Sequence, residues 1–154
     1  MKPITNKGII YRFSILEKIQ AGISLLGFEV KSIKSGKISL QGSFVKIRNN
    51  EAILTGADIS PYQKGNIPQD YDSKRERKLL LKKDEIKHLI GLSAQKGLTI
   101  LPLKLYTNAN LIKLEIGVAR GFKKEDKREK IKQKEYTRRK DKLLKQAKKI
   151  NEGF

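Results

Sequence analysis

The chain has 154 residues, no cysteine, and 35 Lys/Arg against 16 Asp/Glu, a formal net charge of +19. Lack of cysteine excludes a disulfide framework, a thiolate zinc site and a Cys nucleophile. No apolar run approaches the ~20 residues of a membrane span, and Met1–Thr5 does not lead into a signal-peptide core, so a cytoplasmic location is expected. A charge this high points to a polyanionic partner, nucleic acid ahead of anionic membrane, because phosphate neutralisation with counterion release then dominates affinity.

The charge is concentrated at one end. From Arg120 onward, 15 Lys/Arg face 6 Asp/Glu, net +9, which leaves +10 for the preceding 119 residues. The division expected is a globular body over 1–119 and a basic tail over 120–154, disordered when free and folding on a polyanion.

In chain order, Tyr11–Leu25 places Phe13, Ile15, Ile19 and Ile23 on one face and Arg12, Ser14, Lys18 and Gln20 on the other. This period of two predicts a strand, with a bulge or bend at Ala21-Gly22. Leu26, Val30 and Ile33 then form a helical stripe that Gly36 stops. Ser43–Arg48 and Ala52–Ala57 predict a hairpin turning at Asn49-Asn50, residues that tolerate the positive φ of a tight turn. Ile59–Arg77, with Pro61, Gly65 and Pro68, predicts an exposed loop before the chain resumes at Lys78-Leu79-Leu80-Leu81. Lys82–Lys96 predicts a helix, with Asp84 and Glu85 in its first turn and Gly97 at its end. Leu98–Tyr106 and Leu111–Ala119 predict a second hairpin, with a change of register at Pro102. The sum is five to six mostly antiparallel strands with two inserted helices. The fold class expected is mainly β: a small barrel of the oligonucleotide-binding (OB-like) type plus the tail.

The tail has its own periodicity. Tyr136, Leu143, Ala147 and Ile150 fall at seven-, four- and three-residue steps, one stripe of a helix whose other faces are basic. Were Lys127–Ile150 helical, it would span about 36 Å.

Catalytic chemistry is poorly represented. The single histidine, His88, has no cysteine to complete a zinc site and no evident Ser/Asp system to serve. Gly117 and Gly121 do not open a phosphate-cradling loop, and Asp70 and Asp72 read as solvated charges. No enzymatic activity, cofactor or metal is expected. Binding chemistry is richer: Lys and Arg interleave with Tyr11, Phe13, Phe28, Phe44, Tyr62, Tyr71 and Tyr106, whose rings can stack unpaired bases where exposed.

An ordered set of segments carries a resemblance. They are Asn6-Lys7, Ala21-Gly22-Ile23, Leu26–Ser32, Ser35-Gly36-Lys37, Ile59–Tyr62, Arg77–Leu81, Pro102–Tyr106, Gly117–Gly121 and Asp126-Lys127-Arg128. Collinear over nearly the whole chain, they resemble the SsrA-binding protein (small protein B) family, partners of transfer-messenger RNA. The resemblance implies an OB-like barrel that grips the tRNA-like domain of that RNA, in a delivery complex with elongation factor Tu. It implies also a tail that enters the vacant mRNA channel and decoding centre of a stalled ribosome and becomes helical there. The incomplete peptide is then tagged, and the protein itself, expected to be a monomer, makes and breaks no bond.

By position, the resemblance implies RNA contacts for Asn6, Gln20, Leu80 and Lys113. It implies ribosomal contacts for Arg120, Gly121, Lys123, Lys124, Asp126, Lys127 and Arg128. The chain departs from the family pattern at Gln20, usually Glu; at Tyr11 and Phe13, commonly His and Tyr; and at Glu125, often His or Tyr, with Phe122 a nearby substitute ring. Charge and fold alone also suit a ribosomal protein with a basic rRNA-binding extension; only the ordered motifs separate the two.

Overall fold

Alternation of inward and outward residues builds strands whose pairing closes on itself. The computed structural model describes residues 1–62, 65, 67–122 and 124–152, without the side chains of 124–127, 130 and 150–152. In order these form β1 (Ile4–Thr5), α1 (Ile9–Arg12), β2 (Phe13–Ile23), α2 (Gly27–Lys34), β3 (Ile38–Ser39), β4 (Phe44–Arg48), β5 (Glu51–Thr55) and β6 (Asp58–Ile59). There follow β7 (Arg77–Leu80), α3 (Lys83–Ser93), β8 (Leu98–Asn108), β9 (Leu111–Gly121) and α4 (Lys124–Glu152). The sheet runs β8-β4-β5-β7-β2-β9, and β9 returns to β8, so this antiparallel ring is a closed barrel. β1 adds to β8, while β3 and β6 pair separately.

Both hairpins turn on two residues of positive φ, Asn49-Asn50 (51° and 60°) and Ala109-Asn110 (48° and 65°). That twist matches the flanking strands. The expected break at Pro102 is a register shift between Pro102 and Lys104. Inside the barrel, Leu54, Leu105, Leu114 and Ile116 are buried with Ile33 of α2 and Leu89 of α3. A smaller cluster lies on the outer surface, where α1 lays Ile9 over Leu101, Leu103 and Ala119, with Phe13 and Ile15 packed beside them.

Several expectations change. Tyr11 belongs to α1, and β2 begins at Phe13. Its bulge lies between Ile15 and Glu17, not at Ala21-Gly22, because Gly22 is paired on both sides, to Lys113 and to Leu80. On α2 the fully buried positions are Glu29, Ser32 and Ile33, whereas Leu26 is exposed. Val30 and Ile33 of the expected stripe do pack on the core, but Glu29 takes the inward place expected of Leu26, and a buried carboxylate looks like a surface residue in sequence.

Glu29 explains why the stretch from Ile59 to Arg77, Gln63, Lys64 and Asn66 of which lie outside the described residues, is not simply an exposed loop. Arg77 is fully buried and donates from Nε to Glu29 Oε2 at 2.7 Å. Arg75 also pairs with Glu29, and the Tyr71 hydroxyl donates to it at 2.9 Å. The remaining Arg77 donors reach the carbonyls of Ala57, Ser73 and Arg75. All five guanidinium N–H groups therefore have a role, which a buried arginine requires. Burial pushes the Glu29 carboxyl up, but hydrogen bonds from Arg75, the Leu26 amide and Arg77 outweigh it and hold it below the usual carboxylate range.

Arg77→Ala leaves Glu29 short of its buried partner and should cost about 3–5 kcal/mol, read as a lowered urea midpoint. Because the folded state holds Glu29 deprotonated, its contribution is present above the ordinary carboxylate range and lost as pH falls through the lower folded value. Glu29→Gln should therefore flatten the acid limb of a stability–pH curve. On the outer cluster, a Cβ at Gly117 would lie 2.8 Å from Leu103 Cδ1 and 3.2 Å from Ile15 Cγ2. Gly117→Ala should lower stability by about 1–3 kcal/mol, again measured by urea unfolding.

Candidate nucleic-acid interface

Directly paired residues of neighbouring antiparallel strands share a face. The pairs Tyr106–Lys113, Lys113–Gly22 and Gly22–Leu80 therefore set four residues in one row across β8, β9, β2 and β7. The row faces outward: Leu80 is 56% exposed, while its neighbour Leu79 is buried. Two residues along β2, Gln20 lies on the same face and is exposed.

Gly22 has a specific reason to be glycine. A Cβ there would stand 3.1 Å from the Leu80 Cβ, so the bare backbone lets Leu80 lie across β2. Beside this ridge opens a groove of about 610 Å³ lined by Gln20, Leu80 and Lys113 together with Lys78, Lys82 and Lys83. Glu51 and Glu85 also border it, and Lys78 pairs with Glu51 at 3.0 Å. Four lysines against two carboxylates leave the groove cationic around an exposed aliphatic side chain. Such a surface can neutralise phosphate, pack an unstacked base on Leu80 and hydrogen-bond a base or ribose edge through Gln20.

Three of the four expected RNA contacts thus meet in one place. Asn6 does not line this groove. It is 8% exposed, its backbone N–H donates to Leu103 O and its Nδ2 donates to Pro102 O, both at 2.8 Å. The amide straps the N-terminal segment to the β8 bulge and borders a separate hollow of about 350 Å³ with Lys7, Arg12 and Phe44. Sequence reasoning missed Lys78, Lys82 and Lys83, since one lysine among many carries no signal until β7 and the start of α3 bring them together.

The root of the tail is part of the barrel. β9 continues through Arg120 and Gly121, which pair with Ser14 and Phe13, and the Phe122 N–H donates to Arg12 O at 2.9 Å. Lys123 lies outside the described residues. Lys124, Asp126 and Lys127 fall within α4 but their side chains lie outside the description, as does that of Ile150. Arg128 is exposed on the helix, and so are Tyr136, Leu143 and Ala147 of the apolar stripe. The helix returns to the body where Lys134 Nζ sits 4.8 Å from the centre of the Tyr11 ring. His88, the single histidine, faces Glu17 at 2.8 Å on the exposed surface. No described helix is long and apolar enough to cross a membrane.

Comparison with known proteins finds relatives over most of the chain. Residues 3–146 match the family model described as SmpB protein. The chain is 45% identical over 141 residues to the SsrA-binding protein of Thermosynechococcus vestitus, covering 92% of this chain and 93% of that one. It is 44% identical over 140 residues to the SsrA-binding protein of Enterococcus faecalis, covering 91% and 90% respectively. A chain from a solved structure described as "tmRNA-SmpB: a journey to the center of the bacterial ribosome" superposes with a TM-score of 0.67 at 41% identity, covering 84% of this chain and 94% of that one. With a family match over most of its length and relatives this similar, the chain belongs to the SmpB protein family.

Proposed function

We propose that this protein binds the tRNA-like domain of transfer-messenger RNA through its barrel and brings it to stalled ribosomes, its tail occupying the vacant mRNA channel and decoding centre. The observation that carries the reading is the outward row Lys113–Gly22–Leu80, which gathers separate stretches of sequence into one cationic groove. In this reading Lys113 neutralises phosphate, Leu80 packs on an unstacked base and Gln20 bonds an edge without adding charge. Asn6 acts chiefly by fixing the N-terminal segment on β8. The protein is a binding factor rather than an enzyme. It works in the cytoplasm as a monomer, and elongation factor Tu accompanies it during delivery.

The tail supplies the ribosomal half. As a helix, α4 has 29 residues, a length of roughly 43 Å at about 1.5 Å per residue. Its exposed Tyr136, Leu143 and Ala147 lie along one side amid basic residues. An RNA-lined channel offers phosphates for those cations, so binding favours the helix over an extended chain whose like charges repel. Arg120, Gly121, Lys123, Lys124, Asp126, Lys127 and Arg128 stand at its root, where they would meet the decoding centre.

Groove and tail are separable by experiment. Leu80→Ala should weaken binding to transfer-messenger RNA about 10-fold without changing its salt dependence. Lys113→Ala should make the salt dependence shallower by about one unit. Filter binding at several salt concentrations distinguishes the two, and equal affinity for ordinary tRNA would overturn the reading. Truncation after Phe122 keeps β9 whole; it should preserve RNA binding and abolish peptide tagging on stalled ribosomes in a reconstituted translation assay. A tail scrambled at constant charge should fail in the same assay.

A further inference from the structure

Leu80 has a hollow on its other side as well. This second depression, of about 250 Å³, shares Gly22, Leu80 and Lys113 with the groove, but its floor is apolar. Leu25, Val30 of α2, and Leu111 and Ile112 of β9 complete its lining. Leu111 is 61% exposed and Leu80 56%, while Ile112, next to Leu111 in sequence, is buried. Two large, exposed aliphatic side chains thus line one largely apolar depression. Lys113 also lines it, as does Asn110 of the β8–β9 turn.

We infer that this hollow receives one unstacked nucleobase of the bound RNA, held between Leu80 and Leu111, with its edge toward Asn110 and its phosphate toward Lys113. The inference rests on the RNA-binding reading of the adjoining groove and deepens it. Three features favour a base over other occupants. The depression is continuous with the cationic groove through Gly22, Leu80 and Lys113, so a strand following the lysines passes its mouth. Lysine at the rim of an apolar cavity suits a ligand that is flat and apolar on its faces yet anionic at its backbone. An Asn amide, with two donors and an acceptor, can bond either kind of base edge. Leu111 opens β9 immediately after the turn, where neither the barrel interior nor the outer cluster needs it.

The test uses the full chain and the tRNA-like fragment of transfer-messenger RNA, with 2-aminopurine replacing each unpaired loop adenine in turn. For the unsubstituted chain, one position should change fluorescence on binding. Leu111→Ala should lose that change and bind about 10-fold more weakly with an unaltered salt slope, and Leu111→Met should retain both. Thermal unfolding should be unchanged, since the side chain is mostly exposed. If the unsubstituted chain binds and Leu111→Ala matches it in affinity and fluorescence, the inference falls while the groove reading stands. If the unsubstituted chain does not bind the fragment, both fall. A Leu111→Ala effect on sedimentation alone, with RNA affinity intact, would assign the leucines to contact between copies and overturn the inference.

Discussion

The buried pairing of Glu29 with Arg77 governs more of this molecule than its size suggests. A desolvated ion pair contributes little net stability, but it imposes heavy penalties on arrangements that separate its members. Here it acts as a register device. Arg77 opens β7, and holding its guanidinium inside fixes the parity of the strand: Lys78 outward, Leu79 inward, Leu80 outward. A slip of one residue would bury Leu80 and Lys78 and expose Leu79. The same carboxylate ties Tyr71 and Arg75, so the long connection from β6 to β7 is fastened to α2 where it reaches the barrel. The outward leucine of the cationic groove is thus a consequence of an inward arginine three residues earlier.

Hydrophobic burial is divided between the barrel interior and the outer patch under α1. The patch exists because Gly117 leaves space for Leu103 and Ile15 to meet above β9. It joins the first helix to the last strand, and the Phe122–Arg12 bond and the Lys134–Tyr11 contact extend that joint to the tail. The basic helix leaves the body from a packed corner, which limits the directions in which its first turns can point.

Much of the framework was legible from residue pattern alone. Alternating apolar positions disclosed β2, β8 and β9, Asn49-Asn50 disclosed its turn, and Pro102 disclosed a change of register. These signals are local, and the physics behind them is local too. The features missed were settled by distant partners. Glu29 resembles a surface residue until Arg75 and Arg77, some 46 and 48 positions away, claim it. Gly22 suggested a bulge, yet its freedom serves the Leu80 side chain of another strand, while the actual bulge at Leu16 has no distinctive residue. α1, β1, β3 and β6 are too short to show periodicity. Leu79-Leu80-Leu81 read as uniformly apolar, so periodicity did not mark Leu80 as the outward member. The candidate groove combined both cases: Gln20, Leu80 and Lys113 lie in separate motifs that only the fold brings together, and the bond from the Asn6 amide to Pro102 O has no signal in either motif.

The position of β9 also bears on the order in which the molecule is made. It is the closing stave, paired along its length to β2 on one edge and β8 on the other. A nascent chain leaving the ribosome can form the β4–β5 hairpin early, since its contacts are close in sequence, but the long pairing of β2 must wait for β9, roughly a hundred residues downstream. Contacts of such separation form late, because loop closure opposes them until the end. Lys113 rides on that last strand, so the cationic groove and the barrel are completed together. A partly synthesised copy, with its stave missing, would therefore lack the finished groove as well as the closed barrel.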